Sequence, residues 1–163
     1  MQANLFYVTL RATLIEHHLF AKVHILSPTT TSDVAIEQLL EAAIAVTHNA
    51  YIPYSHYPVG AALRAVDGIV YSGCNVENAA YPATICAERT ALVKAVSEGR
   101  REFDVIVVVT KNAGPPCGLC RQMLYEFSPN LRVILADLDG RIASDTTLSA
   151  LLPDGFGPDR LSH

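Results

Sequence analysis

The sequence predicts an α/β protein, a three-layer α/β/α sandwich in which helices cover both faces of a mixed five-stranded sheet. Patterns typical of strands and helices alternate along most of the chain, as they do when helices pack on both faces of a sheet. Two segments, "DVIVVVT" (104–110) and "LRVILAD" (131–137), are almost continuously apolar, which indicates strands covered on both faces. Asp67-Gly68, between two further strand-like segments, predicts a tight hairpin turn.

The predicted elements begin after "SPTTTSD" (27–33), a polar segment that is the one credible boundary inside the chain. Ser32 or Asp33 can cap a first helix that extends to about Asn49. The hairpin comes next, with its strands in "VGAALRAV" and "IVYSGCNV", and the irregular segment "NVENAAYPAT" follows it. The apolar residues of the first helix keep helical spacing: Ile36, Leu39, Leu40, Ala43 and Ile44.

A second helix is predicted from Cys86 to about Glu98, because Gly99 lies at the C′ position where glycine commonly ends a helix. The remaining elements alternate between strand and helix. They are the strand 104–110, a Gly-Pro-Pro loop, the helix "CGLCRQMLYEF" (117–127), the strand 131–137, a turn at Asp139-Gly140, a short strand and a small helix around 146–152. Residues 32–163 are therefore predicted to form one domain, and residues 1–31 an N-terminal extension of unknown role.

Composition narrows the class of protein. Of the 163 residues, 50% are hydrophobic and 17% charged, which suits a single globular domain. The net charge is −4 and no run of Lys or Arg is present, which argues against a surface for nucleic acid and against a polybasic membrane patch. A small or neutral ligand fits this balance better.

The N-terminal segment is apolar but does not read as a membrane or export signal. Arg11, Glu16 and Lys22 interrupt it, so it falls short of the length needed to span a bilayer. It has no basic region before the apolar residues and no clear cleavage site. The sequence therefore predicts a cytoplasmic protein whose four cysteines are free or bound to metal.

Three of the four cysteines stand at the starts of two predicted helices. Cys86 begins one helix, with Glu88 two residues later, and Cys117 and Cys120 begin another. Unpaired N–H groups and the helix dipole at such positions favour the thiolate. If the helices lie side by side, the three sulfurs can hold one Zn²⁺ at about 2.3 Å and leave a fourth position for water. The metal would lower the pKa of that water, and Glu88 could carry its proton.

Arg89 has a predicted role beside this metal. Zn²⁺ with three thiolates is a cluster of charge −1, and its negative charge opposes the ionisation of bound water. Arg89 follows Glu88 directly and could donate hydrogen bonds to the thiolates. Such a contact would draw charge from the cluster, as outer partners of metal ligands commonly do.

Two other classes of protein use similar cysteines. A thiol-redox protein would use the CGLC pair and bind little metal, and a zinc-stabilised binding module would need a fourth protein ligand, for which Cys74 or a distant His are the candidates. We expect Cys74 to be a small buried hydrophobe instead. The combination of C-x-E with P-C-x-x-C, 31 residues after Cys86, is more specific than either part. It matches the signature of zinc deaminases, with Cys in place of the first His.

Residues 33–158 resemble the small homotetrameric cytidine deaminases, a family of zinc-dependent enzymes. The resemblance implies hydrolytic deamination of cytidine and 2′-deoxycytidine to the uridines with release of ammonia, a reaction of pyrimidine salvage. It also implies one Zn²⁺ per subunit on Cys86, Cys117 and Cys120, with Glu88 as the proton shuttle. The resemblance is carried by four segments: "PYSHYPVGAAL", "GCNVENAAYPATICAERTALVKAVSEG", "PPCGLCRQ" and "LLPDGFGP".

The resemblance further implies which residues bind the substrate. Asn75 and Glu77 match the pair that hydrogen-bonds the sugar 3′-OH, and the carboxylate of Glu77 would repel a phosphate, so a free nucleoside fits best. Backbone groups near Ala79 and Ala87, together with the Tyr81 side chain, are expected to line the pocket.

Two aromatic residues bear on how the site is completed. Tyr57 stands where the family usually has Phe packed on the base; its ring can stack equally well, but its hydroxyl needs a partner or water. Phe156 matches an aromatic that reaches into a neighbouring subunit's site, which implies active sites shared between chains, and the family resemblance implies a homotetramer. Residues 1–31 depart from the family pattern.

Within the same chemistry, two alternatives remain. A deaminase of an antibiotic such as blasticidin S would keep the metal site and alter the sugar pocket, whereas the sugar pair is intact here. A nucleic-acid editing enzyme would need a basic and aromatic surface, which the composition does not supply.

Overall fold

Strands and helices follow the predicted order in the structure, a computed structural model that describes residues 31–161. The α-helices are α1 (Thr31–Val46), α2 (Ala87–Ser97), α3 (Gly118–Tyr125) and α4 (Leu148–Leu151). The strands are β1 (Val59–Ala65), β2 (Val70–Cys74), β3 (Phe103–Thr110), β4 (Arg132–Ala136) and β5 (Ile142–Thr147).

The five strands form one mixed sheet with the order β2-β1-β3-β4-β5. β1 pairs antiparallel with β2 and with β3, β3 and β4 are parallel, and β4 and β5 are antiparallel. The parallel pair is joined by the crossover through α3, as parallel neighbours require. The predicted hairpin is confirmed, and Gly68 at its turn has a φ of +90°, which glycine adopts without a steric penalty.

Helices cover both faces of the sheet, which confirms the three-layer prediction. α1 packs on one face, and α2, α3 and α4 pack on the other. β3 supplies both cores, since successive side chains of a strand point to opposite faces. The core under α1 contains Ile36, Leu39, Ala43, Ala62, Val105, Val107, Val109, Ile134 and Ala136. The larger core includes Leu63, Tyr71, Ala91, Leu92, Ile106, Val108, Leu124, Val133, Leu135 and Leu148.

The predicted helix bounds need small corrections at both ends of the domain. α1 ends at Val46, and a 3₁₀ turn at Thr47–Asn49 occupies the last three residues assigned to it from the sequence. The last helix is shorter than the predicted 146–152, because β5 extends through Thr147. Most of the expected extension, residues 1–30, lies outside the described residues. Among the residues described, no helix is long and apolar enough to cross a membrane.

Gly73 sets the distance between β2 and α2. A Cβ atom at this position would lie 2.5 Å from the Ala91 backbone nitrogen and 2.7 Å from the Ala87 carbonyl oxygen. Both atoms belong to the backbone of α2, so a side chain could be admitted only by moving the helix. The absence of a side chain at Gly73 therefore lets α2 pack close to the sheet, with its first residues over the ends of β1 and β2.

The substitution Gly73→Ala is expected to lower the free energy of unfolding by about 3 kcal/mol, the upper end of the range for overpacking. Thermal or denaturant unfolding of the metal-loaded protein measures this change. Gly118→Ala is the matched control, since a Cβ there meets nothing within 4 Å, and alanine is the better helix former. Equal stability of the two variants would contradict this account of the packing.

Candidate metal centre and active site

The three cysteines come together where α2 and α3 begin on the same face of the sheet. Cys86 is the N-cap residue of α2, Cys117 is the N-cap residue of α3, and Cys120 lies in the first turn of α3. Cys86 is held in register by the segment before it, because Val76 and Ile85 exchange backbone hydrogen bonds of 2.9 and 3.0 Å. Packing of both helices on one core therefore points three sulfurs at a common centre.

The arrangement of the sulfurs fits a tetrahedral zinc site. The Sγ atoms of Cys86 and Cys117 are 3.8 Å apart, those of Cys117 and Cys120 are 3.5 Å apart, and all three lie within 4.8 Å of one another. Ligands at 2.3 Å from one tetrahedral zinc are about 3.8 Å from each other. Among residues 31–161, no other cluster of three or more His, Cys, Asp or Glu ligands is found.

The thiols of this cluster differ in how readily they ionise. The neighbouring Cys120 thiol and the Arg89 guanidinium lower the pKa of Cys86 to about 5, against the opposing effect of burial. The pKa of Cys120 is raised, first by its interaction with Cys86 and then by burial. In the chain alone, negative charge is thus concentrated on Cys86, and a divalent cation would draw the remaining protons off as it binds.

Arg89 makes the contact predicted for it with the cluster. Its Nη2 lies 3.8 Å from the Cys86 Sγ and donates a 2.7 Å hydrogen bond to the Thr84 carbonyl oxygen. Its Nε is buried with no hydrogen-bond partner in the described part of the chain. A half-buried cation with an unused Nε donor beside the sulfurs fits a centre that carries net negative charge.

Glu88 is buried beside the cysteines. Only 4% of its surface is exposed, although it lies in the first turn of α2. Burial raises the pKa of its carboxyl above the ordinary value, and the negative charge on Cys86 raises it further. A carboxyl whose ionised form is disfavoured in this way accepts a proton more readily than an exposed glutamate, and it can later return that proton.

A cavity of about 190 Å³, here called the inner cavity, lies next to this cluster. Tyr57 and Asn75 line it together with the predicted metal ligands Cys86 and Cys117 and the predicted proton carrier Glu88. The structure thus brings these predicted site residues together. The rest of the lining comes from Val59, Thr84, Val108, Thr110, Gly114 and Pro115.

An open groove of about 430 Å³, here called the outer groove, lies beside the inner cavity, and Thr84 lines both. Glu77 and Tyr81 lie in this groove and not with the cysteines. Tyr81 is 71% exposed and packs edge-on against Tyr54, with ring centroids 5.9 Å apart. Glu77 Oε2 accepts hydrogen bonds from the backbone of Tyr54 and Ser55, at 3.0 and 3.2 Å. Hydrogen bonding, from the Ser55 side chain above all, lowers the pKa of the Glu77 carboxyl.

Asn75 connects the inner cavity to the loop that precedes β1. Its Oδ1 accepts a 3.0 Å hydrogen bond from the Val59 backbone nitrogen, and its Nδ2 donates a 2.9 Å bond to the Tyr57 carbonyl oxygen. An Asn side chain offers two protons and two lone pairs, so one of each remains for a ligand. The residue therefore both shapes the cavity wall and can bind a hydroxyl group.

The other predicted residues occupy varied positions. Ala87, the first residue of α2, is fully buried, and Ala79 is exposed in the loop after β2. Phe156 is 57% exposed and lines neither concavity within a single chain. Cys74 is buried, as expected, and its sulfur does not join the cluster of three.

Some residues of the cavity wall had no signal in the sequence. Thr84 lines both concavities, and Thr110 and Gly114 close one side of the inner cavity. Asn112 accepts a hydrogen bond from the Tyr57 hydroxyl. A lone Thr, Asn or Gly in a loop is compatible with many structures, so only the folded chain reveals these neighbours.

Comparison with known proteins agrees with this geometry. Residues 34–136 match the family model described as cytidine and deoxycytidylate deaminase zinc-binding region. The chain is 48% identical over 131 residues to a cytidine deaminase of Sporosarcina psychrophila, covering 78% of this chain and 96% of that protein. It is 50% identical over 123 residues to one of Halalkalibacterium halodurans, covering 74% and 92%.

A solved structure is similar to this chain in fold as well as in sequence. The crystal structure of cytidine deaminase from Burkholderia pseudomallei superposes with a TM-score of 0.70 at 48% identity, covering 74% of this chain and 98% of that one. The matched family region includes all three clustered cysteines and Glu88. The chain therefore belongs to the cytidine and deoxycytidylate deaminase family of zinc-dependent enzymes.

Proposed function

We propose that this protein hydrolyses cytidine and 2′-deoxycytidine to uridine and 2′-deoxyuridine and releases ammonia. One observation carries the proposal: three thiols are spaced for zinc, and two of them line the same cavity as the buried carboxyl of Glu88. The relatives described above, which are named cytidine deaminases, support the choice of substrate.

Cys86, Cys117 and Cys120 would hold the zinc ion. When bound, zinc supplies Lewis-acid activation of a water molecule at neutral pH. No fourth protein ligand accompanies the three sulfurs within residues 31–161, so the side facing the inner cavity is open to water and substrate. Arg89 beside Cys86 offsets part of the negative charge of the thiolates.

Glu88 moves the protons of the reaction. Its carboxylate takes a proton from the attacking water as the water oxygen bonds to C4 of the pyrimidine, and it delivers that proton to N3. It then transfers the second water proton to the amino group, so that the C4–N bond breaks and ammonia leaves. The raised pKa of Glu88 suits these opposite transfers, because a catalyst works best when its pKa lies near the working pH.

The two concavities divide the substrate between them. The base would occupy the inner cavity against the Tyr57 ring, with C4 toward the cysteines, and the sugar would lie between Asn75 and Glu77 where the outer groove begins. Backbone groups near Ala79 and Ala87 and the Tyr81 side chain would complete the sugar and base contacts. The Glu77 carboxylate, whose pKa is lowered, stays ionised at neutral pH and would repel a 5′-phosphate.

A substrate panel tests this function. Zinc-loaded protein is mixed with cytidine, 2′-deoxycytidine, cytosine, deoxycytidine monophosphate and blasticidin S, and ammonia release and loss of cytosine absorbance are measured. We expect turnover of the two nucleosides at kcat/KM values well above the others. Turnover only of the monophosphate or only of the antibiotic would replace the proposal with that activity, and no turnover at all would refute it.

The active form in this proposal is a homotetramer whose sites are shared between subunits. Phe156 supports it, because this large apolar side chain is 57% exposed on a single chain. The Gln122 side chain donates a 2.7 Å hydrogen bond to its carbonyl oxygen, so the backbone at Phe156 is fixed while its ring faces outward. A neighbouring subunit would cover that ring.

Mixing subunits tests whether Phe156 completes a neighbouring site. Phe156→Ala is expected to raise KM about tenfold or more, since burying a Phe is worth about 1.5–3 kcal/mol. Phe156→Ala subunits, which keep Glu88, are unfolded and refolded together with inactive Glu88→Gln subunits, which keep Phe156. Activity above the sum of the separate preparations is expected, with gel filtration reporting the tetramer. A monomer in gel filtration, or no gain on mixing, would overturn the shared site.

Salvage of free pyrimidine nucleosides in the cytoplasm is the role we propose for this activity. All four cysteines are free thiols in the structure, and three of them must stay reduced to bind metal. A reducing compartment provides that condition.

A further inference from the structure

Tyr57 and Asn112 join two loops that border the inner cavity. The Tyr57 hydroxyl donates a hydrogen bond to the Asn112 Oδ1, 55 residues away in sequence. Tyr57 belongs to the loop before β1, and Asn112 belongs to the loop between β3 and Cys117, the N-cap residue of α3. The bond therefore connects the aromatic wall of the cavity with the segment that leads into the metal centre.

Further hydrogen bonds hold both partners of this pair in place. The Asn75 amide donates a 2.9 Å hydrogen bond to the Tyr57 carbonyl oxygen, which fixes the backbone of Tyr57. On the other side, Thr110 Oγ1 donates to the same Asn112 Oδ1 at 3.4 Å and accepts from the Gly114 backbone nitrogen at 2.6 Å. The Tyr57 ring is thus held at its backbone and at its hydroxyl.

Gly114 lies against this cluster. A Cβ atom on it would lie 3.3 Å from the Tyr57 hydroxyl oxygen, 3.4 Å from Asn112 Oδ1 and 3.5 Å from Thr110 Oγ1. Three polar side chains thus meet over a residue that has no side chain. Tyr57 differs by its hydroxyl from the phenylalanine that the family usually has at this position, and that hydroxyl has a hydrogen-bond partner in Asn112.

We propose that Asn112 is a positioning residue for the deaminase reaction, acting through Tyr57. By holding the hydroxyl, Asn112 fixes the plane of the Tyr57 ring against the pyrimidine base and keeps the two loops together at the cavity. This inference rests on the proposed function for its substrate, while the connection between the loops stands on the hydrogen bonds alone. The side-chain hydrogen bonds of Asn112 go to Tyr57 and Thr110 and, within residues 31–161, not to the cysteines or Glu88, so we expect it to act on substrate binding and not on the chemical step.

Kinetics of three variants test the positioning role. Tyr57→Phe keeps the ring and removes the hydroxyl, and Asn112→Ala removes the acceptor. Each is expected to raise KM for cytidine about three- to tenfold, the range that corresponds to one net hydrogen bond, with kcat within about twofold of wild type. The KM of the double variant is expected to be no higher than that of the more impaired single variant, because both changes remove the same hydrogen bond.

Tyr71→Phe is the matched control for the loss of a tyrosine hydrogen bond. The Tyr71 hydroxyl bonds Glu98 Oε2 at 3.2 Å, near the C-terminal end of α2, whereas the cysteines lie at its N-terminal end, about 16 Å away along an 11-residue helix. This variant should leave KM unchanged. Equal KM changes in Tyr71→Phe and Tyr57→Phe, multiplied effects in the double variant, or a fall in kcat at constant KM would each overturn the proposal.

Hydrogen exchange tests the connection between the loops without any substrate. In the zinc-loaded protein, Tyr57→Phe and Asn112→Ala should each speed amide exchange in peptides covering 51–57 and 111–114, and Tyr71→Phe should not. Unchanged exchange in these peptides would refute the connection even if cytidine is turned over. If exchange is faster in these two variants but the wild type does not deaminate cytidine, the proposed function is refuted and the connection between the loops stands.

Discussion

Replacing Glu88 with glutamine is expected to abolish deamination while leaving the zinc ion bound. General acid–base catalysis by one residue is worth about 10²–10⁴-fold in rate, and Glu88 is asked to transfer two protons in this reaction, so kcat should fall by at least about a hundredfold. Zinc content should stay at one per chain, because the three sulfurs are untouched. The fold should tolerate the change, since glutamine has nearly the same shape and removes an ionisable group that burial disfavours.

Steady-state kinetics with metal analysis of the same preparation measure this result. Glu41→Gln is the matched control: the same chemical change at an exposed residue of α1, on the opposite face of the sheet, should leave kcat and zinc content unchanged. Retained turnover in Glu88→Gln would refute the proton-carrying role. Loss of zinc from that variant would instead make Glu88 part of the metal's binding site.

Replacing Cys120 with alanine is expected to remove both metal and activity. Mutation of mere outer partners of a ligand costs about 10–100-fold in metal affinity, so loss of one of three ligands should cost more than about a hundredfold. Deamination should then drop to background. The variant is purified with equimolar zinc, and zinc per chain is measured after dialysis together with the rate of ammonia release.

Cys74→Ala is the natural control for this experiment. Both Cys74 and Cys120 are buried, but only Cys120 belongs to the cluster of three. The Cys74 variant should keep one zinc and most of the activity, with at most a small loss of stability from the missing sulfur. A Cys120→Ala variant that keeps its zinc, or a Cys74→Ala variant that loses it, would show that the metal is bound by a different set of ligands.

Much of the fold could be predicted because its signals are local. Apolar runs identified β3 and β4, Asp67-Gly68 identified the hairpin, and Gly99 ended α2 where a C′ glycine should. The errors lie at element ends. The last turn before Asn49 is a 3₁₀ turn, and β5 takes the residues assigned to the start of the last helix. Where a helix or strand ends depends on its packing against the sheet, and the periodicity of the sequence does not reveal that packing.

In the candidate site, too, locally encoded features could be predicted and features set by packing could not. Cys86, Glu88, Cys117 and Cys120 could be named in advance, because few residue types bind zinc or carry protons, and their spacing at two helix starts is restrictive. The sequence could not predict that Glu77 and Tyr81 lie in an outer groove, away from Asn75 and Tyr57. It also could not predict the hydrogen bond between Tyr57 and Asn112, since no pattern in either loop indicates which residue the other loop places beside it.

The sequence by itself indicated the fold class, the candidate metal ligands and the candidate proton carrier, since these follow from local patterns and from the chemistry of a few residue types. Only the tertiary structure decided that the sulfurs lie 3.5 and 3.8 Å apart, that Glu88 is buried beside them and that Asn112 holds Tyr57. The physical reason is that such distances depend on how α2 and α3 pack on a common core. That packing joins residues far apart in the chain, and no local pattern encodes it.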